Sequence, residues 1–331
     1  MNNSKNNNSA NREAYIIEAR KKRSEWAAND AKRDAGLADP ENVEKICDIY
    51  YGDNLTKKDA EQEVINCKEH LADIYYPKCN NAEPKASVTA CASSEDEKLP
   101  VIVSVHGGGW FYGDKELYSH YTLYLASLGF AVVNFNYRLS PEHPYPAGFY
   151  DICYMMDFCA RNADKYKLDM DRMFMVGDSA GAQLCSQYSI FATNSSYRDL
   201  FKDLDYLQVP VPKKVALNCG VYDMRDMAKR EELFNWYMAE KISEDEKESF
   251  YQVINYVSSD FPKTYLMLSV NDDLRFYTKA MKEKLEEQGV ELEYREFGQD
   301  NKEDGHVFHL NMRSENGKTC NAEEVAFFRR D

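Results

Sequence analysis

A mainly parallel β-sheet with helices on both faces is the fold class this sequence predicts. Two observations lead there. Short β-branched runs recur along the chain, and helix-forming stretches separate them, which is the alternation of a parallel α/β sheet. The runs are continuous and do not alternate apolar with polar residues, as expected for strands buried on both sides.

The elements follow in order. Met1 to Asn11 holds six Asn and reads as a disordered lead (1–11). From Arg12 to about Asp34 there are only helix formers, with Tyr15, Ile16, Ala19 and Trp26 as a thin apolar stripe. This is a surface helix burying one face, and 12–44 reads as a helical cap on a catalytic domain spanning 45–331. Ile46–Tyr51 and Leu71–Tyr76 are short strands, and 79–98 a surface loop. Val101–Val105, Phe130–Phe135, Met173–Val176, Val215–Leu217 and Tyr265–Val270 are the buried strands. Helices are expected at about Leu117–Leu128, Ala147–Arg161, Ala180–Ala192 and Phe276–Gln288. About 45 residues separate the last two strands, too many for an ordinary crossover. Leu233, Phe234, Trp236, Tyr237 and Met238 cluster there, so 224–262 is read as a helical excursion contributing to the cap.

Composition narrows the function. The 331 residues carry 41 Lys plus Arg against 56 Asp plus Glu, a net charge of −15. The first 40 residues are at +2, leaving −17 on the rest. Such a surface repels phosphate backbones and anionic lipid, so neither nucleic acid nor membrane is an expected partner. The nine cysteines are scattered with no Cys-x-x-Cys pair, the pattern of reduced thiols. With no apolar leader and no apolar run long enough to span a bilayer, a cytoplasmic location is expected.

The chemistry centres on Gly177-Asp178-Ser179-Ala180-Gly181, after a strand and before a helix. A sharp strand-to-helix turn leaves no room for flanking side chains and lifts a Ser hydroxyl to the N-terminus of a helix. His106-Gly107-Gly108-Gly109-Trp110 directly follows another strand. Of the 15 glycines, five lie in these two motifs. Adjacent glycines let backbone N–H groups converge on one point, as an oxyanion hole requires. A serine nucleophile needs a base, and in this chain order the acid and then the His follow the Ser. Of six His, only His306 and His309 come later. His306 falls at a loop tip after an expected strand, whereas His309 starts the next element. H-x-x-H also suits metal ligation, but no third ligand stands out and no metal is expected. For the acid, Asp272 and Asp273 follow the strand Tyr265–Val270, and Asp223 is their rival. Asp272 is favoured.

On these residues the chain resembles the bacterial hormone-sensitive-lipase-like (family IV) carboxylesterases of the α/β-hydrolase superfamily. Tyr137-Arg138-Leu139-Ser140-Pro141-Glu142-His143-Pro144-Tyr145-Pro146-Ala147 is similar to a family segment that buttresses the site, and Leu168-Asp169-Met170-Asp171-Arg172 also fits. The resemblance runs from about 45 to 310 and is weakest at its C-terminal end. It implies an α/β-hydrolase fold with a helical cap, and a triad of Ser179 as nucleophile, His306 as base and Asp272 as its partner. It further implies an oxyanion hole from the N–H groups of Gly108, Gly109 and Ala180. Three positions depart from the family pattern: Ala182-Gln183 replaces Gly-Asn, Asp273 replaces Pro, and Val307 replaces the Gly after the His.

The expected activity is therefore that of a serine carboxylesterase working through an acyl-enzyme, with no cofactor and a small-molecule ester as substrate. Trp110, Phe111 and Tyr112 suggest a compact apolar pocket suited to acyl groups from acetyl to butyryl. A carbohydrate or xylan deacetylase and an arylformamidase are alternatives on the same machinery. A non-catalytic small-ligand binder is the distant one. Oligomeric state is left open.

Overall fold

In the computed structural model, residues 2–61, 67–78, 97–224, 235–238 and 252–330 are described. The expected loop at 79–98 lies almost wholly outside them, as does most of the 224–262 excursion. Eight strands form one sheet: β1 (Val43–Tyr50), β2 (Leu71–Pro77), β3 (Leu99–Val105), β4 (Ala131–Phe135), β5 (Leu168–Asp178), β6 (Lys214–Asn218), β7 (Lys263–Ser269) and β8 (Leu292–Phe297). Their spatial order is β1-β2-β4-β3-β5-β6-β7-β8. The β1–β2 and β2–β4 pairs are antiparallel, and every pair from β4–β3 to β7–β8 is parallel. Helices fully within the described residues are α1 (Asn2–Asp34), α2 (Lys57–Ala60), α3 (Ser119–Ser127), α4 (Ala147–Arg161), α5 (Ala180–Thr193), α6 (Ser195–Arg198), α7 (Arg275–Glu287) and α8 (Glu315–Arg329). No helix among the described residues is long and apolar enough to cross a membrane.

The period-2 geometry of strands divides the core into two layers. Val101, Val103 and Val105 of β3 point to one side, with Met173 and Met175 of β5, and meet Phe149 of α4, Leu184 of α5 and Tyr277 of α7. Ile102, Phe174 and Val176 point to the other and meet Leu125 of α3 and Phe328 of α8. Each buried side chain of this size contributes roughly 1.5–3 kcal/mol. A sheet so covered holds its C-terminal strand ends in fixed positions, and the functional loops leave from those ends.

Three elements differ from expectation. α1 is helical from Asn2, through the segment expected as a disordered lead, since no Gly or Pro interrupts it. β1 begins at Val43, inside the expected 12–44 cap segment. α8 was not foreseen: it opens on polar residues, although Ser314 caps it by accepting the Gly317 N–H at 3.2 Å.

Candidate active site

Ser179 sits where β5 turns into α5, with φ +51° and ψ −116°. A non-glycine residue holds that conformation only where its surroundings impose it. Two contacts do so here. Its N–H donates to the Asn218 carbonyl at the end of β6 (2.9 Å). Gly181 packs so tightly on the end of β3 that a Cβ there would lie 2.1 Å from the Val105 carbonyl oxygen. The hydroxyl is thereby presented above the sheet.

The loop after β8 brings His306 to it. His306 Nδ1 lies 2.7 Å from Asp272 Oδ2, and Nε2 lies 2.9 Å from Ser179 Oγ. A carboxylate only accepts, so Nδ1 carries the proton and Nε2 accepts the Ser179 O–H. Asp272 is 2% exposed, and its other oxygen accepts the Leu274 N–H at 2.7 Å. Asp273 is exposed and makes no hydrogen bond to His306, and Asp223 accepts from Gln252 instead. The three groups thus converge from the ends of β5, β7 and β8. Val307 takes φ +51°, a left-handed conformation a β-branched residue adopts at a cost. This shows why glycine is the usual residue at that position.

The glycine loop after β3 faces the same hydroxyl. Gly108 has φ +106°, and a Cβ there would sit 2.1 Å from the Tyr112 carbonyl oxygen. Gly107 N–H donates to Tyr118 Oη (2.8 Å), and that phenol donates in turn to Asp178 Oδ2 (2.8 Å). The Gly107 amide is therefore engaged. The N–H groups of Gly108, Gly109 and Ala180 donate to no acceptor among the described residues. Asp178 is fully enclosed, and burial pushes its carboxyl up to about 6. His106 is equally enclosed beneath the loop: burial holds it down to about 4, and its ring stacks on Tyr137 at 4.1 Å.

A cavity of about 560 Å³ opens over Ser179 and His306. Gly108, Gly109, Trp110 and Tyr112 line one side, and Asn271 and Asp273 another. Its roof is α1, through Trp26, Asn29, Asp30 and Arg33. These roof residues were not identified from sequence; an amphipathic helix shows which residues are polar, not which look into a cavity. Trp110 is held by Gln183, whose Oε1 accepts its indole N–H at 3.0 Å, and by Tyr237, stacked on it at 4.6 Å. Gln183 is thus one departure from the family pattern with a visible task. Phe111, expected in the pocket, is not part of its lining. It is completely buried between Trp26 and Trp236, each 4.9 Å away, because the turn at Gly108–Tyr112 directs its ring into the packing under α1. Leu233 and Phe234 lie outside the described residues.

His309 is also not part of the cavity lining. It is fully buried edge-on to Tyr121, and burial holds it down to about 3. Among the described residues, one group brings metal-ligating atoms together: Cys219, Asp272 and His306, within 4.8 Å of one another. Asp272 and His306 are bonded to each other, and burial with the Asp272 charge pushes the Cys219 thiol well above its usual range. Their hydrogen bond makes Asp272 and His306 parts of the relay to Ser179.

The comparisons with known proteins agree with this architecture. A protein of Acanthamoeba polyphaga mimivirus named as an alpha/beta hydrolase is 25% identical over 264 residues, 76% of this chain and 70% of that protein. Carboxylesterase NlhH of Mycobacterium tuberculosis is 37% identical over 89 residues, which span only 27% of this chain and 28% of that enzyme. The crystal structure of Esterase B from Lactobacillus rhamnosis inhibited with a tributyrin phosphonate superposes with a TM-score of 0.76 at 24% identity, covering 96% of this chain and 94% of that one. A family model described as alpha/beta hydrolase fold matches residues 102–310. That match takes in β3 to His306 and agrees with the resemblance to hormone-sensitive-lipase-like esterases: the chain belongs to the alpha/beta hydrolase family.

Proposed function

We propose that this chain is a serine carboxylesterase that hydrolyses short-chain acyl esters through an acyl-enzyme. The observation that carries the reading is the continuous relay Asp272–His306–Ser179, facing backbone amides with no acceptor among the described residues. Ser179 Oγ attacks the ester carbonyl carbon as its proton passes to His306 Nε2, and Asp272 steadies the resulting imidazolium. The carbonyl oxygen becomes an oxyanion and accepts from the N–H groups of Gly108, Gly109 and Ala180. His306 then protonates the leaving alkoxide, and the acyl group stays on Ser179. Water attacks that ester, giving its proton to His306, and Ser179 leaves with a proton from the same imidazole.

Acyl groups from acetyl to butyryl are the proposed substrates, seated against the aromatic rings of Trp110 and Tyr112 that wall the cavity. The likeness to carboxylesterase NlhH supports ester hydrolysis, and that to an esterase inhibited by a tributyrin phosphonate supports a butyryl-sized acyl group. Of the expected 12–44 cap, the part ahead of β1 acts as the cap, and Trp236 in the 224–262 segment joins it by packing on Phe111 beside Ala19.

The test is hydrolysis of p-nitrophenyl acetate, butyrate and octanoate by the wild type and by Ser179→Ala. Turnover of acetate and butyrate above octanoate, reduced roughly 10⁴-fold or more in the variant, is expected. Equal turnover by both proteins removes Ser179 from the reaction. A second reading, carbohydrate deacetylation, is favoured by the polar lining across from Ser179, with Asn29, Asp30, Arg33 and Asn271. Acetylated sugars turned over faster than p-nitrophenyl acetate would select it.

A further inference from the structure

Next to the catalytic cavity lies a second and larger one, of about 810 Å³, which the chemistry above does not use. α1 roofs both. Arg23, Ser24 and Ala27 cover the outer chamber, and Trp26, Asp30 and Arg33 cover the catalytic one. Among the described residues a single one, Tyr112, lines both.

The Tyr112 ring is held firmly in that place. Its hydroxyl donates to Asp30 Oδ2 at 2.6 Å, and Trp26 meets its face edge-on at 5.5 Å and 88°. Its backbone N–H donates to the Gly108 carbonyl at 2.9 Å, which ties it to the oxyanion loop itself. The outer chamber presents a strip of apolar surface from Leu71, Tyr137 and Leu139, ringed by charged groups of both signs from α1, the 68–69 segment, the 114–116 turn and Glu142. An alkyl chain can lie along that strip, and among the described residues Tyr112 is what the outer chamber and the catalytic cavity have in common.

We propose that Tyr112 is a specificity-determining partition: its ring confines the ester to the catalytic chamber, and removing it opens the outer chamber to longer esters. The inference rests on Ser179 being the esterase nucleophile. Each additional methylene buried in the opened space raises binding up to about fourfold, so a few suffice for a clear change in preference.

The experiment measures kcat/KM for p-nitrophenyl acetate and octanoate (a long acyl chain) and for ethyl and octyl acetate (a long alcohol). It is run on wild type, Tyr112→Ala, Tyr112→Leu and Tyr112→Phe, each first titrated with a phosphonate to count reactive Ser179. The long-to-short ratio is expected to rise at least tenfold in Tyr112→Ala and Tyr112→Leu in one of the two series. The series that responds tells whether acyl or alcohol crosses the partition. Tyr112→Phe keeps the ring and should keep the wild-type ratio. Unchanged ratios in both smaller variants, with Ser179 still titratable, overturn the partition. So does a Tyr112→Phe ratio equal to that of Tyr112→Ala. A wild type whose Ser179 does not titrate and which turns over none of the four esters overturns the esterase reading instead, and the partition with it.

Discussion

The floor and the roof of the catalytic cavity are held by different forces. The floor is made of strand ends and tight turns. Ser179 is pinned by the Asn218 carbonyl, Asp272 by the Leu274 amide, and Gly108 and Gly181 by backbone packing that excludes a side chain. The roof buries little: of the described α1 side chains, only Ala19 is buried. α1 is attached mainly by polar contacts. Arg23 alone donates to the Phe111 and Ser140 carbonyls and to both Glu142 oxygens, and Arg313 reaches the Ala35 carbonyl beyond its C-terminal end. Apolar burial and satisfied backbone give the floor the stability of the whole domain, while a helix attached by partly exposed ion pairs opens at lower free energy. The lesson is a division of labour: the serine, the histidine and the glycine loop with Tyr112 sit on the rigid part, and the polar groups that close the cavity above them hang from the adjustable part.

The comparison is broken most severely by disturbing the floor. Gly108→Ala places a methyl group where the Tyr112 carbonyl stands, at a φ that L residues avoid. The loop must shift, and its amides with it. A fall in kcat of roughly 10²–10³-fold is expected, with KM changed much less, because the donors act on the transition state. Steady-state kinetics on p-nitrophenyl butyrate check this, and a KM-dominated defect would contradict it.

Disturbing the roof should have a smaller and different effect. Arg23→Ala removes the main tie between α1 and the 140–142 segment. KM is expected to rise roughly tenfold, the equivalent of one charge-assisted hydrogen bond, with kcat little altered. Hydrogen exchange across α1 should quicken while β3 and β5 stay protected. A kcat loss as large as that of Gly108→Ala would erase the distinction between the two halves.

The smallest effect sharpens the picture beneath the floor. Glu324 of α8 is completely buried, accepts the Tyr121 phenol at 2.7 Å, and is pushed up to about 8 by burial. Its folded pKa lies above the unfolded one, so the fold binds the proton more tightly. The stability this group contributes is complete below about pH 4.5 and is lost as pH rises toward 8. Glu324→Gln stays neutral throughout, so its thermal midpoint should fall less than that of the wild type between pH 5 and about 8. Parallel pH profiles would show that the carboxyl does not titrate there.

Much of this molecule can be read from its sequence because the informative residues are locally constrained. β3 and β5 are apolar on both faces, so their β-branched and Met runs stand out. The glycines of both motifs are needed by turns a few residues long, and motif and turn are therefore seen together. β8 is harder to place: Glu293, Arg295 and Glu296 belong to an edge strand with one side open, and their charges hide it. α8 is hidden in the same way, since Glu315, Asn316 and Lys318 precede its apolar face.

The sequence by itself determined the alternation of strands and helices, the position of the serine in its turn, and that only the last two histidines follow that serine along the chain. Those properties depend on backbone conformation and chain order, which neighbouring residues encode. Tertiary structure alone separated Asp272 from Asp273. The two are adjacent in the chain, yet one is buried against His306 and the other is exposed at the cavity. It likewise sent Phe111 into the core while leaving Trp110 and Tyr112 at the cavity, and brought Asp30 and Arg33 over a serine about 150 residues away. Such outcomes rest on which surfaces meet when the chain folds back on itself, and short-range patterns hold no record of that.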